Sequence, residues 1–377
     1  MTIQNGLADA GLSGDSGGGI SCLGSTFNVM NSTISSNSAV GSGGGISAQL
    51  SLLNVTNSTI SDNQSGAFGG GIANTVGSLI LTNSTISGNT AANIGGGIWT
   101  SIATATLTNS TVSGNTAVDE GGGIFTAAEN STTNLISSTL TGNSAASGGG
   151  ILISTGDFPG IVTSTNSLIV NSPSGGNCAT EPGATLTPSG NNLDTDGSCA
   201  GFTQVSPAQL NLDSLASNGG PTQTPALLSP SNAIDTGDQT ECDNGGITTD
   251  QRGFIRPIDG DDDSVAICDI GSFEFGSFLD SDGDGVPDDV DECADSDLSP
   301  TVVIDGCDSG VPNSLSALGN QGCTISDLIQ QIAANSQTHE EFVSGVANLT
   351  NALKKAGIIT GSQKGEIQSC AAQASIP

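Results

Sequence analysis

The chain has 377 residues and sets 37 acidic side chains against five basic ones, a formal net charge of −32 at neutral pH. All five cations (Arg252, Arg256, Lys354, Lys355 and Lys364) follow residue 251, so nucleic acid and anionic membrane are excluded as partners, because phosphate binding needs clustered positive charge. No apolar run reaches the ~18–20 residues that cross a bilayer as a helix, and nine cysteines in an acidic, lysine-poor chain point to an oxidising compartment.

The start, Met1-Thr2-Ile3-Gln4-Asn5-Gly6, already reads as part of a repeating coil. No signal peptide is visible in it, so an export signal is expected upstream. Two marks then recur. A Gly-Gly-Gly-Ile block ends at Ile20, Ile46, Ile72, Ile98, Ile124 and Ile151, with spacings of 26, 26, 26, 26 and 27. An Asn-Ser-Thr-Ile-Ser-x-Asn block ends at Asn37, Asn63, Asn89 and Asn115, and in degenerate form at Asn143. A fixed period of this length is the mark of a solenoid, which outweighs the disorder that a Gly-, Asn- and Ser-rich composition would otherwise imply.

Within each coil the apolar residues alternate, and Asn and Gly separate them. That pattern predicts three short strands per coil joined by turns. Stacking coils at ~4.8 Å would bring equivalent residues into columns. Three columns are predicted to face inward: Ile20/Ile46/Ile72/Ile98/Ile124/Ile151, Ile34/Ile60/Ile86/Val112/Leu140 and Val29/Val55/Leu81/Leu107/Leu135. The columns Asn31/Asn57/Asn83/Asn109 and Asn37 through Asn143 read as turn ladders, since asparagine tolerates a left-handed backbone and can bond to its own copies. The glycines supply positive φ or a close chain approach. The fold class that follows is all-β, a right-handed single-stranded parallel β-helix of about 26 residues per coil, with a small C-terminal α-helical module.

These blocks resemble the polymorphic outer-membrane-protein type of repeat found in bacterial surface β-helices. Residues 209–275 resemble the choice-of-anchor Q domain that follows such helices. The matching stretches are Leu215-Ala-Ser-Asn-Gly-Gly-Pro-Thr-Gln-Thr224, Ala233-Ile-Asp-Thr-Gly237, Asp250-Gln-Arg-Gly-Phe254, Arg256-Pro257 and Cys268-Asp-Ile-Gly-Ser-Phe-Glu274. The resemblance implies a bacterial, secreted or cell-surface protein and carries no catalytic residues with it. The expected organisation is a β-helix over 1–208, irregular after Asn171, then a choice-of-anchor Q-like capping region over 209–276.

Fifteen acidic residues fall between Asp259 and Asp297. Within them, Asp280, Asp282, Asp284, Asp288 and Asp291 occupy relative positions 1, 3, 5, 9 and 12 of a loop, Gly285 holds the sharp-turn position, and Val286 offers a backbone carbonyl. Hard oxygen ligands at this spacing fit one structural calcium ion. The final Asp, the Val-Pro pair and the following Cys293 resemble a thrombospondin type-3 repeat, placed over 277–310. Asp259, Asp261 and Asp263 form a second, shorter candidate cation loop, for which an ordinary acidic loop is an equal reading.

Over 311–377 the period turns helical and three helices are expected. Thr324 with Asp327 caps the first, and Thr338 with Glu341 the second, which ends at Gly357. The third begins near Ser362. Neighbour pairing of cysteines gives Cys178–Cys199, Cys242–Cys268 and Cys293–Cys307, with Cys323–Cys370 stapling the helices and Cys22 left as a buried thiol. His339 reads as a surface residue.

The function expected is a non-catalytic, adhesin-like surface rod, a monomer, with a cell-envelope component or surface glycan as partner. A carbohydrate-active β-helix enzyme is the alternative. A lyase needs an Arg or Lys base, absent before residue 252, and a hydrolase needs facing carboxylates, whereas Asp9, Asp15, Asp62, Asp119, Glu120, Glu129 and Asp157 share no column. A remote alternative is an ice-binding surface on the paired files Thr33/Thr59/Thr85/Thr111/Thr139 and Ser35/Ser61/Ser87/Ser113/Thr141. The plainer reading there is ordinary β-propensity on an exposed face.

Overall fold

Ile72 pairs in parallel register with Ile46 on one side and Ile98 on the other. Leu81 sits likewise between Val55 and Leu107, and Ile86 between Ile60 and Val112. The period of the sequence is thus the period of the structure. The protein is described by a computed structural model covering residues 1–9, 15–128, 130–261, 263–276, 292–293, 295–314 and 322–376. It divides into two units, Met1–Ser277 and Phe278–Pro377.

The first unit is a parallel β-solenoid. A typical coil runs through strands Ile72–Thr75, Ser78–Thr82, Thr85–Ser87 and Thr90–Ala91. Four strands replace the three that alternation predicts, because the backbone resumes pairing just after the ladder asparagine, where Thr90 N–H donates to Asn63 O at 2.8 Å. Two sheets of seven strands mark seven coils, beside one of nine and one of five. All three inward columns are buried from the second coil on, and each buried Ile or Leu contributes about 1.5–3 kcal/mol. Ile20 is only half-buried, because its strand is the edge of its sheet and packs on one side alone.

The two asparagine columns divide the work that the sequence assigned to both. Asn31, Asn57, Asn83 and Asn109 hold the left-handed backbone, with φ of 47°, 48°, 50° and 45°. The column from Asn37 to Asn143 makes the hydrogen-bonded ladder. Asn63 Nδ2 donates to Asn89 Oδ1 at 2.9 Å and to Ile34 O at 3.0 Å, and Asn63 N–H donates to the same Asn89 Oδ1 at 2.9 Å. A serine ladder runs beside it: Ser58 N–H donates to Ser84 Oγ at 3.2 Å, and Ser84 N–H to Ser110 Oγ at 3.3 Å. The glycine triplets serve two ends. Gly95 takes φ +67°, and a Cβ on Gly96 would lie 2.4 Å from Gly122 O.

The coil continues beyond Asn171. Strands Cys178–Thr180, Thr185–Ser189 and Leu193–Asp194 stack on Ile151–Ile153, Ile161–Thr165 and Leu168–Val170, and the Cys178–Cys199 disulfide closes this last coil. Helix α1, Pro207–Leu210, follows, with a capping box on Ser206 and Gln209. An antiparallel pair, Leu212–Ala216 with Thr224–Leu227, comes next, and then α2, Gln239–Gly245, tied to Cys268 through Cys242.

The second unit contains a β-hairpin that the sequence reading missed, across the expected boundary between the calcium-binding repeat and the helical module. Thr301–Ile304 pairs with Cys307–Pro312, and Val302, Ile304 and Val311 share one core with the three helices. These are α3, Ile325–Asn335, α4, His339–Ala356, and α5, Gly361–Gln373. The Thr324–Asp327 capping box forms, and Gly357 ends α4 at φ 79°. At α4, Thr338 accepts from Glu341 N–H, but the Glu341 carboxylate turns to Gln337 N–H at 2.8 Å. His339 is exposed as expected.

Two cysteine pairings are corrected. Cys293 joins Cys323, and Cys307 joins Cys370. The expected Cys293–Cys307 and Cys323–Cys370 bridges do not form, because the hairpin carries Cys307 against α5. Cys22 is the free, buried thiol.

Candidate functional site

The threonine file does not face solvent along its length. Thr33 and Thr59 are partly exposed, but Thr85, Thr111 and Thr139 are buried beneath segments from residues 218–275. Thr85 Oγ1 donates to Gln223 O at 2.6 Å, and Asn109 Nδ2 donates to Thr249 O at 2.7 Å. Thr111 Oγ1 donates to Gln251 Oε1 at 2.6 Å and lies 3.0 Å from Ser272 Oγ. Gln251 Nε2 donates to the hydroxyls of Thr85 and Thr222, each at 2.9 Å, and Ser272 N–H donates to Thr139 Oγ1 at 3.0 Å. This covering overturns both the exposed-face reading of the file and the ice-binding alternative built on it. The hydroxyls of a flat β face are met by a matched row of donors and acceptors rather than by water.

The motifs that carry the choice-of-anchor Q resemblance converge just above this contact. Arg252 pairs with Asp250 at 2.7 Å, and its guanidinium lies 4.2 Å from the Phe254 ring centroid and 3.7 Å from that of Phe273. Arg256 pairs with Glu274 at 2.6 Å and donates to Gly271 O and Phe273 O, each at 3.0 Å. Asp269 accepts from Asp235 N–H at 2.8 Å and Phe275 N–H at 2.5 Å. Three carboxyls thus face two guanidiniums in a buried space. Burial first, and the Glu274 charge second, push the Asp269 carboxyl up to about 8, so at neutral pH it holds the proton that balances the charge. Burial also raises Glu274, against the opposing pull of Arg256. The arrangement is a clamp that ties the segments of residues 218–275 to one another, and it meets the solenoid where Arg256 Nη1 lies 3.5 Å from Asn109 Oδ1.

Next to the clamp, carboxylate oxygens of Asp235, Asp259 and Asp261 lie within 4.8 Å of one another. Asp235 Oδ2 also accepts from Gly260 N–H at 2.7 Å, and burial raises its pKa. Asp259 and Asp261 were legible as a cation loop. Asp235 was not, being 24 positions upstream, although it stands within the quoted Ala-Ile-Asp-Thr-Gly motif. Asp263 is not part of this trio; its backbone N–H instead donates to Asp259 Oδ1 and Asp261 Oδ1, at 3.1 and 3.2 Å. The other candidate calcium ligands, Asp280, Asp282, Asp284, Val286, Asp288 and Asp291, lie outside the described residues.

Of the acids weighed for hydrolase chemistry, Asp9, Asp15, Asp62, Asp119 and Asp157 are exposed. Glu120 is half-buried, and burial followed by the charges of Glu181 and Asp119 raises its pKa. Glu129 lies outside the described residues. No described helix is long and apolar enough to cross a membrane.

The Chlamydia polymorphic membrane protein repeat matches residues 83–101, the stretch that holds one Asn-Ser-Thr-Ile-Ser-Gly-Asn block and the next Gly-Gly-Gly-Ile. No curated protein and no solved structure matches the chain. In sequence, residues 83–101 are similar to the chlamydial polymorphic membrane protein repeat.

Proposed function

We propose that the protein is a non-catalytic, adhesin-like β-helix displayed on or released from a bacterial surface. One observation carries this reading: the unit that matches the polymorphic membrane protein repeat is the unit that stacks, coil on coil, into the solenoid. Four disulfides fit an oxidising exterior. Residues 209–275 act as a choice-of-anchor Q-like module that locks the flank of the rod. Calcium occupies the thrombospondin type-3-like loop at 280–291 and serves structure, not chemistry.

The test is surface labelling of intact cells of the source bacterium with an antibody to the solenoid, before and after mild external protease. Labelling that external protease removes is expected. Signal only after lysis would refute surface display. Turnover of a polyuronate by the purified chain, abolished by a substitution in 1–171, would favour the carbohydrate-active enzyme instead.

A further inference from the structure

The outer face of the sheet containing the Gly-Gly-Gly-Ile strands changes character partway along. Its outward position runs from coil to coil as Ser21, Ser47, Ala73, Trp99, Phe125, Leu152 and Ala179. The side chains are small for three coils and then large. Ala73, Phe125 and Leu152 are buried, whereas Ser21 is exposed and Ser47 and Trp99 are partly exposed, so an open trough lies over Ser21 and Ser47 beside the Trp99 ring. At ~4.8 Å per coil, Ser21 stands about 14 Å along the stack from the Trp99 step. A cavity of about 340 Å³ lies there, lined by Asp15, Ser21, Ser47, Gln49, Thr75 and Trp99. Trp99 is partly exposed, and the Phe68 ring packs against it at 4.9 Å between centroids.

The polar groups that line this cavity lie outside the asparagine and serine ladders. Among the described residues, the side chains of Ser21, Ser47, Gln49 and Thr75 and the indole N–H of Trp99 have no hydrogen-bond partner. We infer that this trough is a binding subsite for an uncharged oligosaccharide of about three sugar units.

The chemistry selects that ligand class. A flat, braced aromatic ring offers an apolar platform to the C–H face of a pyranose while its N–H remains free to bond a hydroxyl. Hydroxyl and amide groups recur along the floor at one coil height, close to the length of one pyranose, which suits a repeating polar ligand. An apolar peptide would leave those groups unpaired at a cost. No Lys or Arg stands before residue 252, and Asp15 flanks the trough, so uronates, sialylated glycans and phosphates are repelled. A second copy of the chain, equally acidic, is disfavoured for the same reason. The inference deepens the adhesive reading by naming its ligand, and it rests on that reading only for its biological use. Surface labelling fails or succeeds independently of any sugar.

Trp99 is the only tryptophan in the chain, so intrinsic fluorescence reports on the trough directly. The full chain is titrated with chitotriose and cellotriose as neutral probes and trigalacturonate as the acidic one, and is then applied to a printed array of neutral and acidic glycans. A saturable change in Trp99 emission, or array binding, is expected with neutral glycans and not with acidic ones. Ser47→Phe, which fills the floor from a half-exposed position, should weaken binding at least about tenfold with an unchanged circular dichroism spectrum. Gln49→Ala, fully exposed, serves where that variant does not fold and should weaken binding in the same direction. Absence of saturable binding to every neutral glycan, binding to acidic glycans alone, or undiminished binding by both variants would overturn the proposal.

Discussion

The hydroxyl of Thr111 lies 2.6 Å from Gln251 Oε1, across 140 residues of chain. Gln251 is fully buried, and its amide also serves Thr85, Thr222 and the carbonyl of Gln223. One side chain therefore holds two coils of the solenoid and the segment that covers them. Gln251→Leu removes these bonds and leaves the hydroxyls of Thr85, Thr111 and Thr222 with one partner each, so a loss of about 1–3 kcal/mol is expected. Denaturant unfolding measures the loss. Amide exchange should also quicken across 218–275 more than in the asparagine ladder, and uniform quickening would contradict a locking role.

The two asparagine columns predict opposite tolerances. Asn89→Ala leaves the N–H of Asn63 without its partner in a buried ladder and removes the amide bond to the Ile60 carbonyl, for an expected cost of about 2–4 kcal/mol. Asn57 adopts φ 48°, and its buried Oδ1 has no partner. Asn57→Gly keeps the left-handed backbone and should change stability by less than about 1 kcal/mol. Equal losses at the two sites would show that the columns do the same work.

The solenoid was legible because its physics repeats. Ile46, Ile72 and Ile98 occupy identical surroundings, so burial leaves the same letter at the same interval. Contacts made once leave no such trace. The pairing of Thr111 with Gln251 has no period, and a Thr-Ile-Ser strand looks the same whether water or a later segment covers it. Arg252, Arg256 and Glu274 were visible as motif letters, yet their convergence depends on the path of the chain between them. The cysteine errors have the same origin. Pairing each cysteine with its nearest neighbour ignores the Thr301–Pro312 hairpin, whose β-branched Thr-Val-Val-Ile run was a readable strand signal.

Asp269 gives the clamp a pH dependence. Its carboxyl is pushed from 3.8 up to about 8 by burial and by Glu274, so the folded state holds a proton that the unfolded state releases. The stabilisation from that proton is complete below the ordinary carboxylate range and is lost as pH rises through about 8. Repulsion among the other acids also grows over this interval, so the informative quantity is a difference. The melting temperature of the parent should fall more steeply between pH 4 and 8 than that of Asp269→Asn, which keeps an acceptor and does not titrate. Parallel curves would mean that Asp269 is ionised throughout.

The disulfide pattern of the second unit is open to direct mapping. Digestion of the unreduced protein should release one linked peptide containing Cys307 and Cys370, and another containing Cys293 and Cys323. Cys307→Ser frees the hairpin from α5 across a 63-residue separation, and the expected cost is about 2–4 kcal/mol. Recovery of a Cys293–Cys307 peptide would contradict the hairpin's position.

Calcium is expected at two places, and they can be separated. Asp280, Asp282, Asp284, Asp288, Asp289 and Asp291 crowd six carboxylates into twelve positions. Their mutual repulsion opposes any closed loop until a cation offsets it. Asp235, Asp259 and Asp261 offer a smaller trio, in which Asp235 already spends Oδ2 on Gly260 N–H. The loop should therefore bind more tightly than the trio. Extracellular modules of this kind bind at about 10⁻⁴–10⁻³ M, so the titration must reach millimolar calcium. Calorimetry on the chelator-treated full chain should show binding heat that Asp282→Asn/Asp284→Asn largely removes. Asp259→Asn/Asp261→Asn should remove only a weaker component. Unchanged heat in the first variant would transfer the site from the loop to the trio, and no heat from the parent at millimolar calcium would end the assignment of both.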